Sequence, residues 1–174
     1  MSQQILSFEA AHVDTTLYVK DLEGRYVVAS DEMIFTATRA AVERKYPANT
    51  EMTEPKIAAD YFKNKLNGFE HEVFSIIFLS SQHKLIAYRE MFQGTLTCAS
   101  VYPREVVKAA ISYSAVAVIL AHNHPSSGQP EPSQADKAIT KRLKEALDLI
   151  DVRVLDHIIV GGNTTKSMAE MGLI

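Results

Sequence analysis

The chain carries one cysteine, Cys98, among its 174 residues. That excludes an internal disulfide and fits a reducing, cytoplasmic compartment. Cys98 reads as a small packed residue rather than a nucleophile, and Cys98-Ala99-Ser100 could border a substrate groove. No apolar run reaches the length of a membrane span. The N-terminus lacks a basic, apolar, small-residue pattern, so neither export nor membrane association is expected. There is no excess of positive charge either: 18 Lys and Arg stand against 21 Asp and Glu, for a net charge of −3. Arg104, Lys108, Lys137, Lys141, Arg142 and Lys144 fall on helical segments, where a solvated face accounts for them. A nucleic-acid groove would need a stronger basic excess, so the charge balance argues against such a partner. Internal repeats and low-complexity tracts are also missing. What remains is a chain that is 47% apolar and long enough to bury a real core.

Residues 1–13 show no clear period. Thr15 to Lys20 and Tyr26 to Ala29 have strand character around the turn Asp21-Leu22-Glu23-Gly24, which predicts a hairpin. Apolar residues at Ile34, Ala37, Ala41 and Val42 predict a helix from Asp31 to about Tyr46, ended by Pro47-Ala48-Asn49-Thr50. Thr53 is expected to cap a second helix, with Ile57, Tyr61, Phe62 and Leu66 inward and Asn67-Gly68-Phe69 closing it. Val73 to Leu79 and Lys84 to Arg89 read as a second hairpin, and Met91 to about Thr97 as a third strand. Pro103 suits the first turn of a helix whose inner face is Val106, Val107, Ala110 and Ile111. Ile139, Leu143, Ala146, Leu147 and Ile150 mark an amphipathic helix from Gln134. Val152 to Val160 is a further strand, and Ser167 to Met171 a last short helical piece. Strands and helices alternating in this way predict an α/β architecture, a mixed sheet covered by helices. Residues 1–66 hold no catalytic constellation and read as packing support or a partner-recognising surface; residues 67–174 carry the chemistry.

That chemistry centres on Ala121-His122-Asn123-His124-Pro125 and, after a loop, Ser133-Gln134-Ala135-Asp136. The run Ala115 to Ala121 reads as a buried strand, on which residues two apart share a face. His122 and His124 are so spaced, and Pro125 stops the strand and forces a turn. Asp136 lies in the first turn of the following helix, where Ser133 and Asp136 also have the spacing of a capping box. Two imidazoles and one carboxylate suit zinc and leave a fourth position for water, as in a catalytic site. Asn123, between the two histidines, faces the other way and suits packing or support. His157, in an apolar strand, reads as a satisfied core histidine rather than a fourth ligand; His12, His71 and His83 read as surface or turn residues.

His122-x-His124-Pro125 with Ser133-x-x-Asp136 resembles the JAMM signature of the JAB/MPN metalloprotease fold. With "VYPREVVKAA" before it and "VRVLDHIIVGG" after it, the chain from about Thr53 onward resembles the bacterial RadC (UPF0758) family. The resemblance implies a JAB1/MPN-like (cytidine deaminase-like) mixed β-sheet flanked by helices, with residues 67–174 as the MPN domain. It implies a zinc metallopeptidase acting on a protein or peptide, with His122, His124 and Asp136 as metal ligands. One departure stands out. Ser126-Ser127-Gly128 replaces the family's usual single Ser before Gly, giving eight residues between His124 and Ser133 instead of seven. The extra residue is expected to bulge from the loop, since Ser133 and Asp136 keep their own spacing.

Amide hydrolysis needs, besides zinc, a base for the water and a proton donor for the leaving nitrogen; one carboxylate off the metal can serve as both. Glu72 opens a strand resembling the JAMM strand that begins with the catalytic Glu, and Glu70 and Glu90 are the competing acids. Family analogy places the Ser133 hydroxyl near the scissile carbonyl, where it could stabilise an oxyanion, although capping alone would account for the residue. Two other functions stay open: a non-catalytic MPN scaffold that binds a protein partner, and a DNA-repair-associated factor. The second rests on the family's older association and has no electrostatic support here.

Overall fold

The computed structural model describes residues 15–94, 101–125 and 128–174. Cys98 and the Ser126-Ser127 pair lie outside the described residues, as do His12 and the end of the strand expected to reach Thr97. A small hairpin comes first, β1 (Tyr18–Lys20) and β2 (Tyr26–Val28), then helices α1 (Asp31–Lys45) and α2 (Pro55–Leu66). The main sheet follows: β3 (Val73–Leu79), β4 (Leu85–Gln93), β5 (Ala117–Asn123), β6 (Arg153–Gly161) and β7 (Thr164–Ser167). Helix α3 (Pro103–Ser112) precedes β5, and α4 (Gln134–Asp148) joins β5 to β6.

The sheet order is β4-β3-β5-β6-β7, with β5 and β6 parallel and every other pair antiparallel. This is the mixed α/β architecture that alternating strands and helices predicted. Strands β3 and β5 are buried along their whole length, which explains their unbroken apolar runs. Their alternate residues feed two cores. Val73, Ile77, Leu79, Ala117, Ile119 and Ala121 pack against Tyr61, Phe62 and Leu66 of α2. Phe74, Ile76, Phe78, Val118 and Leu120 pack against Val106 and Ala110 of α3 and Leu143 and Leu147 of α4. Continuing the alternation from Val118 and Leu120 puts His122 on the α4 side of the sheet. Among the described residues no helix is long and apolar enough to cross a membrane.

Three local expectations are corrected and a fourth is narrowed. The strands read at Lys84–Arg89 and Met91–Thr97 are one strand, β4, as far as it is described. Ser75 pairs with Glu90 and Phe74 with Phe92, so Met91 is an extra, unpaired residue; this bulge breaks the alternation and imitates a boundary. Helix α2 is not capped by Thr53: Glu54 is the N-cap, without a side-chain bond, and Pro55 fills the first turn, where no N–H is needed. Residues 168–172 form turns rather than a helix, because Asp156 ties the segment down through Ser167 Oγ at 2.6 Å and the Ala169 amide at 3.0 Å. His71 is a bend residue but not an open one: its ring is half-buried edge-on to Phe69, and Nε2 is buried with no hydrogen-bond partner among the described residues.

Candidate metal centre

His122 is the second-last residue of β5 and 1% exposed. The ring of Phe74, its cross-strand partner on β3, lies nearly parallel to it, with centroids 6.2 Å apart. His124 stands just past the strand, yet its amide continues the ladder by donating to the Val160 carbonyl at 2.8 Å. Its Nδ1 lies 2.9 Å from the Gln129 carbonyl. A carbonyl only accepts, so His124 Nδ1 carries the hydrogen and Nε2 is the nitrogen left to face the site. The loop holding Gln129 rests directly on Gly161: a Cβ there would come within 2.6 Å of the Gln129 carbonyl carbon and of Pro130 N. Only glycine permits that approach.

The third side chain arrives from α4. Ser133 caps the helix, its Oγ accepting from the Asp136 amide at 3.1 Å while Asp136 Oδ2 accepts from the Ser133 amide at 2.7 Å. This box aims the carboxylate across the site. Asp136 Oδ1 lies 3.2 Å from His122 Nε2, Oδ2 lies 3.7 Å from His124 Nε2, and the two imidazole Nε2 atoms are 2.9 Å apart. His122, His124 and Asp136 thus form a group that could hold a metal ion. The Ser133–Asp136 geometry is intact, and the Gly128 amide closes back onto the His124 carbonyl at 3.2 Å.

The electrostatics fit a place built for a cation. Burial pushes the Asp136 carboxyl up, but the close-set His122, His124 and Ser133 side chains outweigh it and hold the group well below the usual carboxylate range. The hydrogen bond to Asp136 raises His124; burial opposes it, and the Gln129 carbonyl and the charges of Asp136 and Glu72 reinforce it. Three basic atoms this close need a shared positive charge, which a proton supplies minimally and a divalent ion more fully.

The candidate bases separate by face. Glu72, half-buried, directly precedes β3 and is two residues from Phe74, whose ring lies against His122; its charge reaches His124. Glu90 is exposed and accepts a hydrogen bond from the Tyr88 hydroxyl at 3.2 Å. Tyr88, on the same face of β4, packs against Tyr61 of α2 at 5.7 Å, so the sheet stands between Glu90 and His122. Glu70 is exposed and lines a cleft of about 740 Å³ with Asp31, Phe35, Arg39, Phe69 and Pro125. Asn123 faces away from the site, as its position between the histidines predicts. Its Oδ1 accepts from the Val73 amide at 2.7 Å and its Nδ2 donates to the His71 carbonyl at 3.0 Å, fixing the entry to β3 beside Glu72.

His157 is fully buried, the satisfied core histidine its apolar surroundings predict, but its partners give it more than a packing role. Its Nε2 is 2.8 Å from His122 Nδ1 and its Nδ1 is 2.6 Å from Thr140 Oγ1. Burial, with the neighbouring His122, holds its pKa well below the ordinary histidine value, so it is neutral. Nothing in the sequence motif itself singles out Thr140. The available signal was its place one turn after Asp136, on the same side of α4.

Residues 52–173 match a family described as the RadC-like JAB domain. A UPF0758 protein of Vibrio cholerae is 48% identical over 144 residues, covering 83% of this chain and 90% of that protein. UPF0758 proteins of Nitrosococcus oceani and a Marinomonas species are 54% and 58% identical over 123 and 114 residues, 71% and 66% of this chain. The chain spans 54% and 50% of the length of those two relatives.

Proposed function

The chain belongs to the family of RadC-like JAB domains, and we propose that it is a zinc-dependent hydrolase of the JAMM type, cleaving an amide bond in a protein or peptide. The observation that carries the reading is the meeting of His122 Nε2, His124 Nε2 and an Asp136 carboxylate oxygen at one point, delivered by two separate elements. Two neutral imidazoles and a carboxylate suit zinc and leave a coordination position for water. Zinc held there would supply Lewis acidity and a water acidic enough to be deprotonated at neutral pH.

The other steps fall to the chain's own side chains. Glu72, on the His122 face of the sheet, takes a proton from the attacking water and returns it to the leaving nitrogen. Ser133 Oγ already accepts from the Asp136 amide, so its own hydrogen is left to donate to the oxyanion that develops on the scissile carbonyl. The cleft beside Pro125 offers room for a substrate segment next to the ligand loop. In this reading residues 67–174 hold the chemistry, residues 1–66 support it or recognise the partner, and the protein works in the cytoplasm.

The test is zinc-loaded full chain incubated with peptide and isopeptide libraries, with cleavage read by mass spectrometry. Wild type should cleave. Glu72→Gln should keep its zinc and lose turnover by about a hundredfold or more, while Glu90→Gln should cleave like wild type. A zinc-loaded wild type that leaves every peptide and isopeptide intact would contradict the hydrolase reading.

A further inference from the structure

Behind the candidate ligands runs a chain of hydrogen bonds whose direction can be worked out from one end. It starts at the main-chain carbonyl of Asp136, which can only accept. Thr140 Oγ1 lies 2.6 Å from that oxygen, a separation at which two oxygens need a hydrogen between them, so the hydroxyl donates there. The Met168 sulfur at 3.7 Å is a poorer acceptor and does not compete. Thr140 has one hydroxyl hydrogen and has now used it. Its contact with His157 Nδ1 at 2.6 Å therefore requires the ring nitrogen to donate. A neutral imidazole with hydrogen on Nδ1 has its lone pair on Nε2. That lone pair faces His122 Nδ1 at 2.8 Å, so His122 must donate in turn. His122 is left with a bare Nε2, pointing at Asp136 and His124.

We propose that Thr140 and His157 are positioning residues that fix His122 in the tautomer with a free Nε2 lone pair. The claim rests on the reading of His122 as a metal ligand, and the chain makes that role physical. Asp136 starts the relay with its carbonyl and faces its far end with its carboxylate, so one turn of α4 supplies a ligand and sets the proton position on the opposing one. Thr140 is 2% exposed and His157 is fully buried, so water cannot substitute for either link. Loss of the Thr140 hydroxyl would let His157 move its hydrogen to Nε2. His122 would then accept at Nδ1 and carry its own hydrogen on Nε2, where a metal must bind.

The experiment compares full-length wild type with Thr140→Val, which removes only the hydroxyl, and Thr140→Ser, which keeps it. Zinc affinity is measured by chelator competition. Imidazole tautomers are read from long-range 1H–15N spectra of the metal-free proteins at alkaline pH. Wild type should show His122 with hydrogen on Nδ1. Thr140→Val should bind zinc about tenfold or more weaker and show His122 with hydrogen on Nε2, and Thr140→Ser should bind within about threefold of wild type. Thr140→Val binding like wild type, or wild-type His122 carrying its hydrogen on Nε2, overturns the proposal. The wild-type spectrum decides the matter even if Thr140→Val does not fold. Failure of wild type to bind zinc overturns the metal reading, and the same spectrum still shows whether the relay sets the tautomer.

Discussion

His122 and His124 stand two residues apart and aim the same nitrogen at the same point, but they are held in different ways. His122 is inside β5, beneath Phe74 and backed by His157; its side chain is 1% exposed. His124 lies past the strand with its side chain 20% exposed, and its Nδ1 partner is a loop carbonyl that depends on Gly161 for its position. One ligand therefore belongs to the core and the other to the loop that follows it. A buried ligand is fixed by packing and costs stability to remove, whereas a loop-held one can be lost with little effect on the fold.

The greatest loss should come from the core ligand. His122→Ala should lose zinc and also destabilise the metal-free protein by about 3 kcal/mol, because it leaves a cavity and an unpaired His157 Nε2. His124→Ala should lose zinc with a cost under about 1 kcal/mol. Metal-free denaturant melts separate the two; equal losses of stability would erase the distinction. Gly161→Ala comes next. Its Cβ must push back the Gln129–Pro130 backbone, which should weaken zinc binding about tenfold by displacing the partner of His124. Zinc affinity equal to wild type would show that the loop does not hold His124.

Acidity should act on the two ligand partners in opposite directions. Metal must displace the proton that His124 holds, and that group titrates above its ordinary value of 6.5. Apparent zinc affinity should fall about tenfold per pH unit below the raised pKa, and a flat profile from pH about 8 to 6 would contradict the shared-cation picture. For the metal-free fold the signs are opposite for the two partners. The raised His124 contributes stability that is full below 6.5 and is lost as pH rises through its folded pKa. The lowered Asp136 contributes stability present above its ordinary 3.8 and lost as pH falls through its folded pKa. Urea midpoints of metal-free protein across that range check both. The smallest effect is Ser133→Ala, which should cost about 1 kcal/mol through the lost cap, with Ser133→Asn restoring it. Equal melts for all three would remove the capping role.

Much of this was legible in the sequence because the informative patterns are short-range. The two-residue period places His122 and His124 on one side, and the Ser133-x-x-Asp136 spacing gives the capping box that aims the carboxylate. The bulge at Met91 was not legible, since one extra residue in a strand looks like the strand's end. The sequence puts Glu72 ahead of Glu90 through its likeness to the JAMM strand alone. Which face of β4 Glu90 occupies is long-range information, carried by the pairing with β3. The Thr140–His157–His122 relay joins residues 17 and 35 apart, and only the parallel register of β5 and β6 brings them together.

Everything proposed for this chain requires His122, His124 and Asp136 to close on one divalent cation. Elemental analysis of the purified full chain, after zinc loading and exhaustive dialysis, tests it most directly when run beside Asp136→Ala. Wild type should hold stoichiometric zinc and the variant essentially none. A zinc-free wild type, or an Asp136→Ala protein that holds as much zinc, would contradict it.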